Sequence, residues 1–117
     1  IAGQAATFSL PEMTHGTAPT LAMSALTKVS PKALADMIFS RDEIDADTAL
    51  AIGLVGRVVP NDSLDDTVDA FLDRVREYDI PQIRAVKRFI ATALNLSPEA
   101  TSDLAGFTLA TLNTRPK

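Results

Sequence analysis

Apolar residues in the second half of the chain recur at the spacing of helices with one buried face. After the turn at Pro60-Asn61-Asp62 the stripe predicts one amphipathic helix, Pro81 opens a second, and Ser97-Pro98 caps and opens a third. Each helix has a single apolar face, which must be buried on another of these helices or on something outside this chain. The three faces consist of Leu64, Val68, Phe71, Leu72 and Val75; Ile83, Val86, Phe89, Ile90 and Leu94; Leu104, Phe107, Thr108 and Leu112.

The first half of the chain predicts shorter helices. Residues 20–28 are mostly good helix formers. Ser30-Pro31 is typical of an N-cap followed by proline at the first helical position. The helix that follows has apolar residues at the spacing of one buried face, namely Leu34, Met37 and Ile38.

A third short helix is predicted just before the middle of the chain. Asp45 can cap a helix that runs through Ile52, and Gly53 can close it in a left-handed conformation. The run from Leu54 to Val59, "LVGRVV", then predicts a short strand or extended segment.

One strand is predicted near the start of the chain, at Ala6–Ser9. Pro11 ends it, because proline has no N–H to donate to a sheet. We expect this strand to have no partner within the 117 residues. Since an isolated strand is not stable, the pattern indicates that the chain is part of a larger unit.

Composition narrows the function classes. With 117 residues and 46% hydrophobic content the chain can form one small domain, and a formal net charge of −4 argues against a nucleic-acid surface. The absence of cysteine and the presence of a single histidine exclude disulfides and the usual zinc sites. No apolar run approaches the roughly 20 residues of a membrane span, and no signal peptide is evident, so an intracellular protein is expected.

Glu12 is the most informative single residue. It lies between Pro11 and Met13, and no lysine or arginine occurs within ten positions on either side. One interpretation is a solvated loop carboxylate, as most acids are exposed. The other is an acid in an apolar pocket, where burial penalises the charged form and suits the carboxyl to both giving and taking a proton.

Several short motifs follow one another in a characteristic order. A strand precedes "PE" and an apolar residue, a glycine with a proline after it, and a helix; later come an "A…A…GLV" helix and a "VVP" segment. The matching residues are Phe8, Pro11, Glu12, Gly16, Pro19, Ala35, Ile44, Ala46, Ala49, Gly53, Leu54, Val55 and Pro60, with Ala85 and Lys87 in a later helix. From about Ala6 to about Ile90 this order resembles the C-terminal half of the enoyl-CoA hydratase/isomerase, or crotonase, family.

The resemblance implies an α/β crotonase-like fold, a ββα superhelix. This chain would be its mostly α-helical C-terminal portion, with one leading strand and one short extended insert. Residues 1–19 would end the ββα core with the "PE" loop, and residues 20–117 would form a helical region for pocket closure and for a homo-oligomer, a trimer or hexamer. The complementary N-terminal half would supply two backbone N–H donors, the oxyanion hole, and the first catalytic glutamate.

The resemblance also implies a chemistry. Family reactions start from an acyl-CoA thioester and pass through an enolate whose oxyanion is stabilised by backbone N–H groups. Glu12 would be the general acid/base, and Gly16, Pro19 and Leu21 would contact substrate. No metal or cofactor is expected beyond the coenzyme A of the substrate, and a cytoplasmic enzyme of fatty acid metabolism is the expectation. His15 has no nucleophilic partner at a recognisable spacing and would flank the pocket.

One departure from the family pattern leaves the reaction open. The glycine-rich run that many family hydratases have after the loop is replaced here by Thr20-Leu21-Ala22-Met23. The sequence therefore does not distinguish hydration from isomerisation or other family reactions, and it does not indicate which acyl chain is preferred. A non-catalytic helical association module and a free-standing helical bundle remain alternatives.

Overall fold

The computed structural model describes residues 1–20, 22 and 28–114 of the chain. Its strands are β1 (Ala2–Gly3), β2 (Thr7–Phe8), β3 (Ile44–Asp45) and β4 (Val58–Val59). Its α-helices are α1 (Pro31–Ser40), α2 (Ala46–Ala51), α3 (Leu64–Arg76), α4 (Ile80–Ala93) and α5 (Pro98–Asn113). Two 3₁₀-helices are Pro11–His15 and Asn61–Ser63.

The chain divides into two compact units, Ile1–Ala70 and Phe71–Lys117, and the division falls inside α3. The helix predicted at 20–28 lies mostly outside the described residues. Among the described residues, none of the helices combines the length and the apolar composition that crossing a membrane requires.

The leading strand is paired, which corrects the expectation that it lacks a partner in the chain. Strand β2 pairs antiparallel with β3, with Phe8 opposite Ile44. The preceding β1 was not predicted, and it pairs in parallel with β4, with Ala2 opposite Val58. Each strand is two residues long, so none is long enough to show the alternating pattern from which a sequence predicts a strand.

Helix starts occur where side-chain caps were predicted. The Ser30 hydroxyl accepts from the Ala33 N–H at 3.2 Å at the start of α1. The Asp45 carboxylate accepts from the Thr48 N–H at 2.8 Å at the start of α2. The Ser97 hydroxyl does the same for α5. These bonds satisfy N–H groups that a helix start leaves without a backbone partner.

The first unit contains the buried core. Leu10, Val29, Met37 and Ile38 form one buried cluster. Partly buried apolar residues pack against it, among them Phe8, Leu34, Ile44 and Leu54. The buried face of α1 is therefore the predicted one. Leu10 brings the segment just before Glu12 into this core, so the candidate acid is attached to the best-packed part of the unit.

The second unit buries its apolar stripes only in part. Ile83 and Phe89 of α4 are half-buried, whereas Val86 and Ile90 on the same helix, and Leu94 directly after it, are exposed. No residue of α3, α4 or α5 is fully buried among the residues described. The helices of this unit therefore cover one another's apolar stripes only in part, and burial of the rest on something outside this chain stays a prediction.

Candidate active site

Glu12 lies on a 3₁₀-helix, Pro11–His15, and not in an irregular loop as the sequence suggested. Pro11 occupies the first helical position, where its fixed φ suits a helix start and its missing N–H costs nothing. Gly16 ends the turn with φ 71°, the left-handed conformation expected from its sequence position. The turn is therefore defined at both ends by residues whose backbone preferences match it.

One oxygen of the Glu12 carboxyl group is buried. Oε2 is shielded from solvent and has no hydrogen-bond partner among the described residues, while the residue as a whole is half-buried. No lysine or arginine in the described part of the chain forms an ion pair with it. Buried polar atoms are nearly always paired, and unpaired ones are costly to keep. An unpaired buried carboxyl oxygen is free to exchange a proton with something that enters the site.

Hydrogen bonds within the turn fix the backbone beneath this carboxyl group. The Thr14 hydroxyl donates to the Pro11 carbonyl oxygen at 2.6 Å. The Thr17 hydroxyl donates to the Glu12 carbonyl oxygen at 3.2 Å, and the Thr17 N–H reaches the same oxygen at 3.4 Å. The sequence analysis missed both threonines. Both threonines lie within two positions of Gly16, in a segment rich in turn residues. That placement was the signal that could have identified them.

The other predicted site residues lie in different environments. Gly16 is exposed, whereas Pro19 is buried. Leu21 lies outside the described residues. His15 is exposed at the end of the turn, and Met13, next to Glu12, is 44% exposed. Because His15 and Met13 are accessible beside a half-buried acid, the turn presents a polar and an apolar group to anything bound there.

An apolar cavity of about 390 Å³ begins at the segment that leads into this turn. Ser9 and Leu10, which directly precede Pro11, line it together with side chains of the core, Phe8, Met37 and Leu54. Within the described residues no cluster of histidine, aspartate and glutamate could hold a metal ion. Among the described residues, the cavity adjoins the turn through Ser9 and Leu10, and Glu12 does not line it.

A long-range hydrogen bond holds the backbone just before β2. The Asn61 side-chain oxygen accepts from the Ala5 N–H at 3.0 Å, across 56 residues of sequence. A Cβ on Gly3 would lie 2.4 Å from that oxygen, so this glycine is needed for the close approach. The sequence analysis gave Asn61 only a place in a turn.

Comparison with solved structures shows the fold. A protein of the enoyl-CoA hydratase/isomerase family from Silicibacter pomeroyi matches with a TM-score of 0.87 and 26% identity, over 98% of this chain and 50% of that chain. An enoyl-CoA hydratase from Mycobacterium smegmatis matches with a TM-score of 0.83 and 26% identity, over 97% of this chain and 45% of that chain. The chain thus spans about half the length of these relatives. These likenesses confirm the predicted crotonase-like fold class.

Sequence comparison addresses the family. A search of curated proteins gave no significant match. The family model described as enoyl-CoA hydratase/isomerase matches residues 1–109, nearly the whole chain. The resemblance seen in the "PE", "GLV" and "VVP" motifs is therefore confirmed, and the chain belongs to the enoyl-CoA hydratase/isomerase family.

Proposed function

We propose that this chain is part of an enzyme that hydrates an enoyl-CoA or moves its double bond, with Glu12 as the general acid/base. The observation that carries the proposal is the Glu12 carboxyl oxygen that is buried and has no hydrogen-bond partner among the described residues. A structural acid at that depth would have a partner, because leaving one unpaired is destabilising. Membership of the enoyl-CoA hydratase/isomerase family supports the substrate class.

Glu12 is proposed to transfer protons in either of two reactions. In hydration, water adds across the α,β double bond of the thioester, so that hydroxide bonds to the β carbon and a proton to the α carbon. In isomerisation, the carbon next to the double bond gives up a proton, the double bond shifts by one position toward that carbon, and the far carbon of the original double bond receives a proton. A carboxyl group serves either reaction, since it can take the proton in one step and return it in the next.

The reaction also needs stabilisation of the negative oxygen that develops on the thioester. We assign this to two backbone N–H donors that lie outside these 117 residues. Loss of one such donor typically costs roughly 10²–10³ in rate. The relatives are about twice as long as this chain, which supports a complementary N-terminal part. Gly16, Pro19 and Leu21 are proposed to shape the acyl pocket, and no cofactor is needed beyond the substrate's own coenzyme A.

The test replaces the carboxyl group of Glu12 by an amide in the native polypeptide that carries these residues. Glu12→Gln should lower kcat for crotonyl-CoA by about 10²-fold or more, the usual contribution of a general acid/base. Glu43→Gln, which changes an exposed glutamate in a turn, should leave kcat within about twofold, as expected for a surface change. If Glu12→Gln turns over as the wild type does, Glu12 has no part in the chemistry.

Product analysis identifies the reaction. A hydratase forms 3-hydroxybutanoyl-CoA from crotonyl-CoA, whereas an isomerase relocates the double bond without adding water.

The 117-residue chain by itself should bind or turn over crotonyl-CoA poorly, because the oxyanion donors are absent from it. Full activity of this chain alone would refute the assignment of those donors to another part of the polypeptide.

A helical association module is the second candidate function. The exposed apolar residues of the second unit favour it, since α3, α4 and α5 have large side chains in solvent: Phe71, Leu72, Val86, Ile90, Leu94, Phe107 and Leu109. Such faces are typical of subunit interfaces. Analytical ultracentrifugation with and without acyl-CoA separates the two candidates. A trimer or hexamer that forms yet binds no acyl-CoA would favour the module.

A further inference from the structure

Among the described residues, no ion pair fixes the Glu12 carboxyl group. Its buried carboxyl oxygen has no hydrogen-bond partner to hold it. Nothing polar therefore prevents the carboxyl group from turning toward water, where its charged form is better solvated. The backbone sets where the Cα–Cβ bond points, and therefore which side-chain rotamers place the carboxyl group in the buried position.

Two threonine hydroxyls hold the peptide groups on either side of Glu12. Thr14 Oγ1 donates at 2.6 Å to the Pro11 carbonyl oxygen, which belongs to the peptide plane before Glu12. Thr17 Oγ1 donates at 3.2 Å to the Glu12 carbonyl oxygen, which belongs to the plane after it. Since peptide groups are planar, the orientations of these two planes determine φ and ψ of Glu12. The two hydroxyls, together with the Gly16 and Thr17 N–H groups that also donate to the Glu12 carbonyl oxygen, therefore hold the direction of its Cα–Cβ bond.

Gly16 allows this arrangement. Its left-handed conformation, φ 71°, turns the chain back so that Thr17 can reach the Glu12 carbonyl oxygen. The backbone N–H of Thr17 approaches the same oxygen at 3.4 Å. Thr14 donates from inside the 3₁₀-helix and Thr17 from beyond its end, so the two bonds hold the peptide groups before and after Glu12.

We propose that Thr14 and Thr17 are positioning residues for Glu12, and that their hydroxyl groups keep the carboxyl group buried and aimed at the reacting carbons. This inference rests on the proposed function of Glu12. Neither threonine needs to touch substrate, because each acts through a backbone carbonyl. A small displacement of a reacting group is enough to matter, since about 1 Å can cost roughly 10² in rate.

The kinetic test removes the hydroxyl groups without changing side-chain shape, in the native polypeptide. Thr14→Val and Thr17→Val should each lower kcat for crotonyl-CoA several-fold, and the double variant by about 10²-fold, with KM within about twofold. Thr14→Ser and Thr17→Ser keep the hydroxyl and should restore kcat. Thr67→Val is the matched control. It removes a hydrogen bond of similar length, 2.7 Å from the Thr67 hydroxyl in α3 to the Ser63 carbonyl oxygen, and it should leave kcat unchanged.

A second measurement does not require turnover. Carbodiimide labelling followed by mass spectrometry compares the reactivity of the Glu12 carboxyl group with that of exposed Glu43. The double valine variant should label Glu12 faster, relative to Glu43, and the serine variants should label it as the wild type does. If labelling changes as expected but no variant, nor the wild type, acts on crotonyl-CoA, the proposed function fails and the positioning stands. Unchanged labelling and unchanged kcat in the double valine variant, or serine variants as impaired as the valine ones, would overturn the positioning.

Discussion

Among single residues, Arg41 has the least favourable backbone. It ends α1 with φ 63°, and it is the non-glycine residue with positive φ in the described part of the chain. A side chain with a Cβ pays about 1–2 kcal/mol in this region, whereas glycine does not. Replacing the residue with glycine removes this cost. Part of the gain in stability is lost again, because glycine makes the unfolded chain more flexible and so favours the unfolded state by about 0.4–1 kcal/mol.

Arg41→Gly should therefore raise the free energy of unfolding by about 0.5–1 kcal/mol. Urea titration of the native polypeptide measures the change. Arg41→Ala is the control, because it removes the charged side chain but keeps a Cβ in the left-handed conformation, and it should give no gain. Equal stabilisation by alanine would show that the arginine side chain, and not the backbone, is the source of the cost.

Asp45 makes the stability of the first unit depend on pH. The Thr48 backbone N–H bonded to its carboxylate, and then the Thr48 side chain, lower the pKa of Asp45 below its ordinary value. Because the pKa is lower in the folded state than in the unfolded state, the carboxylate contributes fully above about pH 4, and the contribution is lost as the pH falls through the folded-state pKa.

Asp45→Asn should remove this dependence while keeping a cap, since asparagine also accepts at an N-cap and does not titrate. Wild type should lose stability relative to the variant as the pH is lowered from about 6 to about 3. Unfolding titrations at several pH values measure the difference. A wild-type-to-variant difference that stays constant with pH would contradict the assignment.

Residue-level features were predictable where they depend on neighbours in sequence. Ser30, Asp45 and Ser97 cap their helices as expected, and Gly16 and Gly53 have positive φ, because capping and left-handed turns are local. The sequence left open whether Glu12 is solvated or buried, because burial depends on what surrounds the residue in space. The two threonine hydroxyls were missed for a different reason. Threonine bonds many local carbonyl groups, and sequence does not show which.

At the scale of elements, β1 and β4 are joined by more than their strand pairing. Asn61 follows β4 and reaches back to the Ala5 N–H, beside Gly3 of β1. Sequence predicted the helices well and these pairings poorly. A helix repeats its pattern over several turns, whereas the pairing of Ala2 with Val58 involves two residues on each side and leaves no period to detect.

Gly3→Ala should destabilise the native polypeptide by about 0.5–1.5 kcal/mol, because the new Cβ forces the Asn61 side chain away and breaks its bond to Ala5. In an Asn61→Ala background the same change should cost much less, which a double-mutant cycle detects. Gly56→Ala is the matched control, since a Cβ there meets no atom within 4 Å. Additive effects of Gly3→Ala and Asn61→Ala would show that the two residues do not interact.

On the scale of the whole molecule, the two units differ in how completely they are packed. The first has a buried cluster around Met37 and Ile38, whereas in the second no described helix residue is fully buried. The amphipathic stripes of α4 and α5 were visible in the sequence. What covers them was not, because a stripe shows only that a face is apolar and not whether another helix, another part of the polypeptide or another subunit packs on it.

The pairing of β2 with β3 and of β1 with β4 orders events during synthesis. Strands β1 and β2, which precede the Glu12 turn, are made before Ile44, Val58 and Asn61, which hold them in place. Closing contacts across 56 residues is slow compared with forming a helix. A nascent chain halted before Ile44 would therefore carry the acid-bearing turn without the partners that β1 and β2 have in this structure.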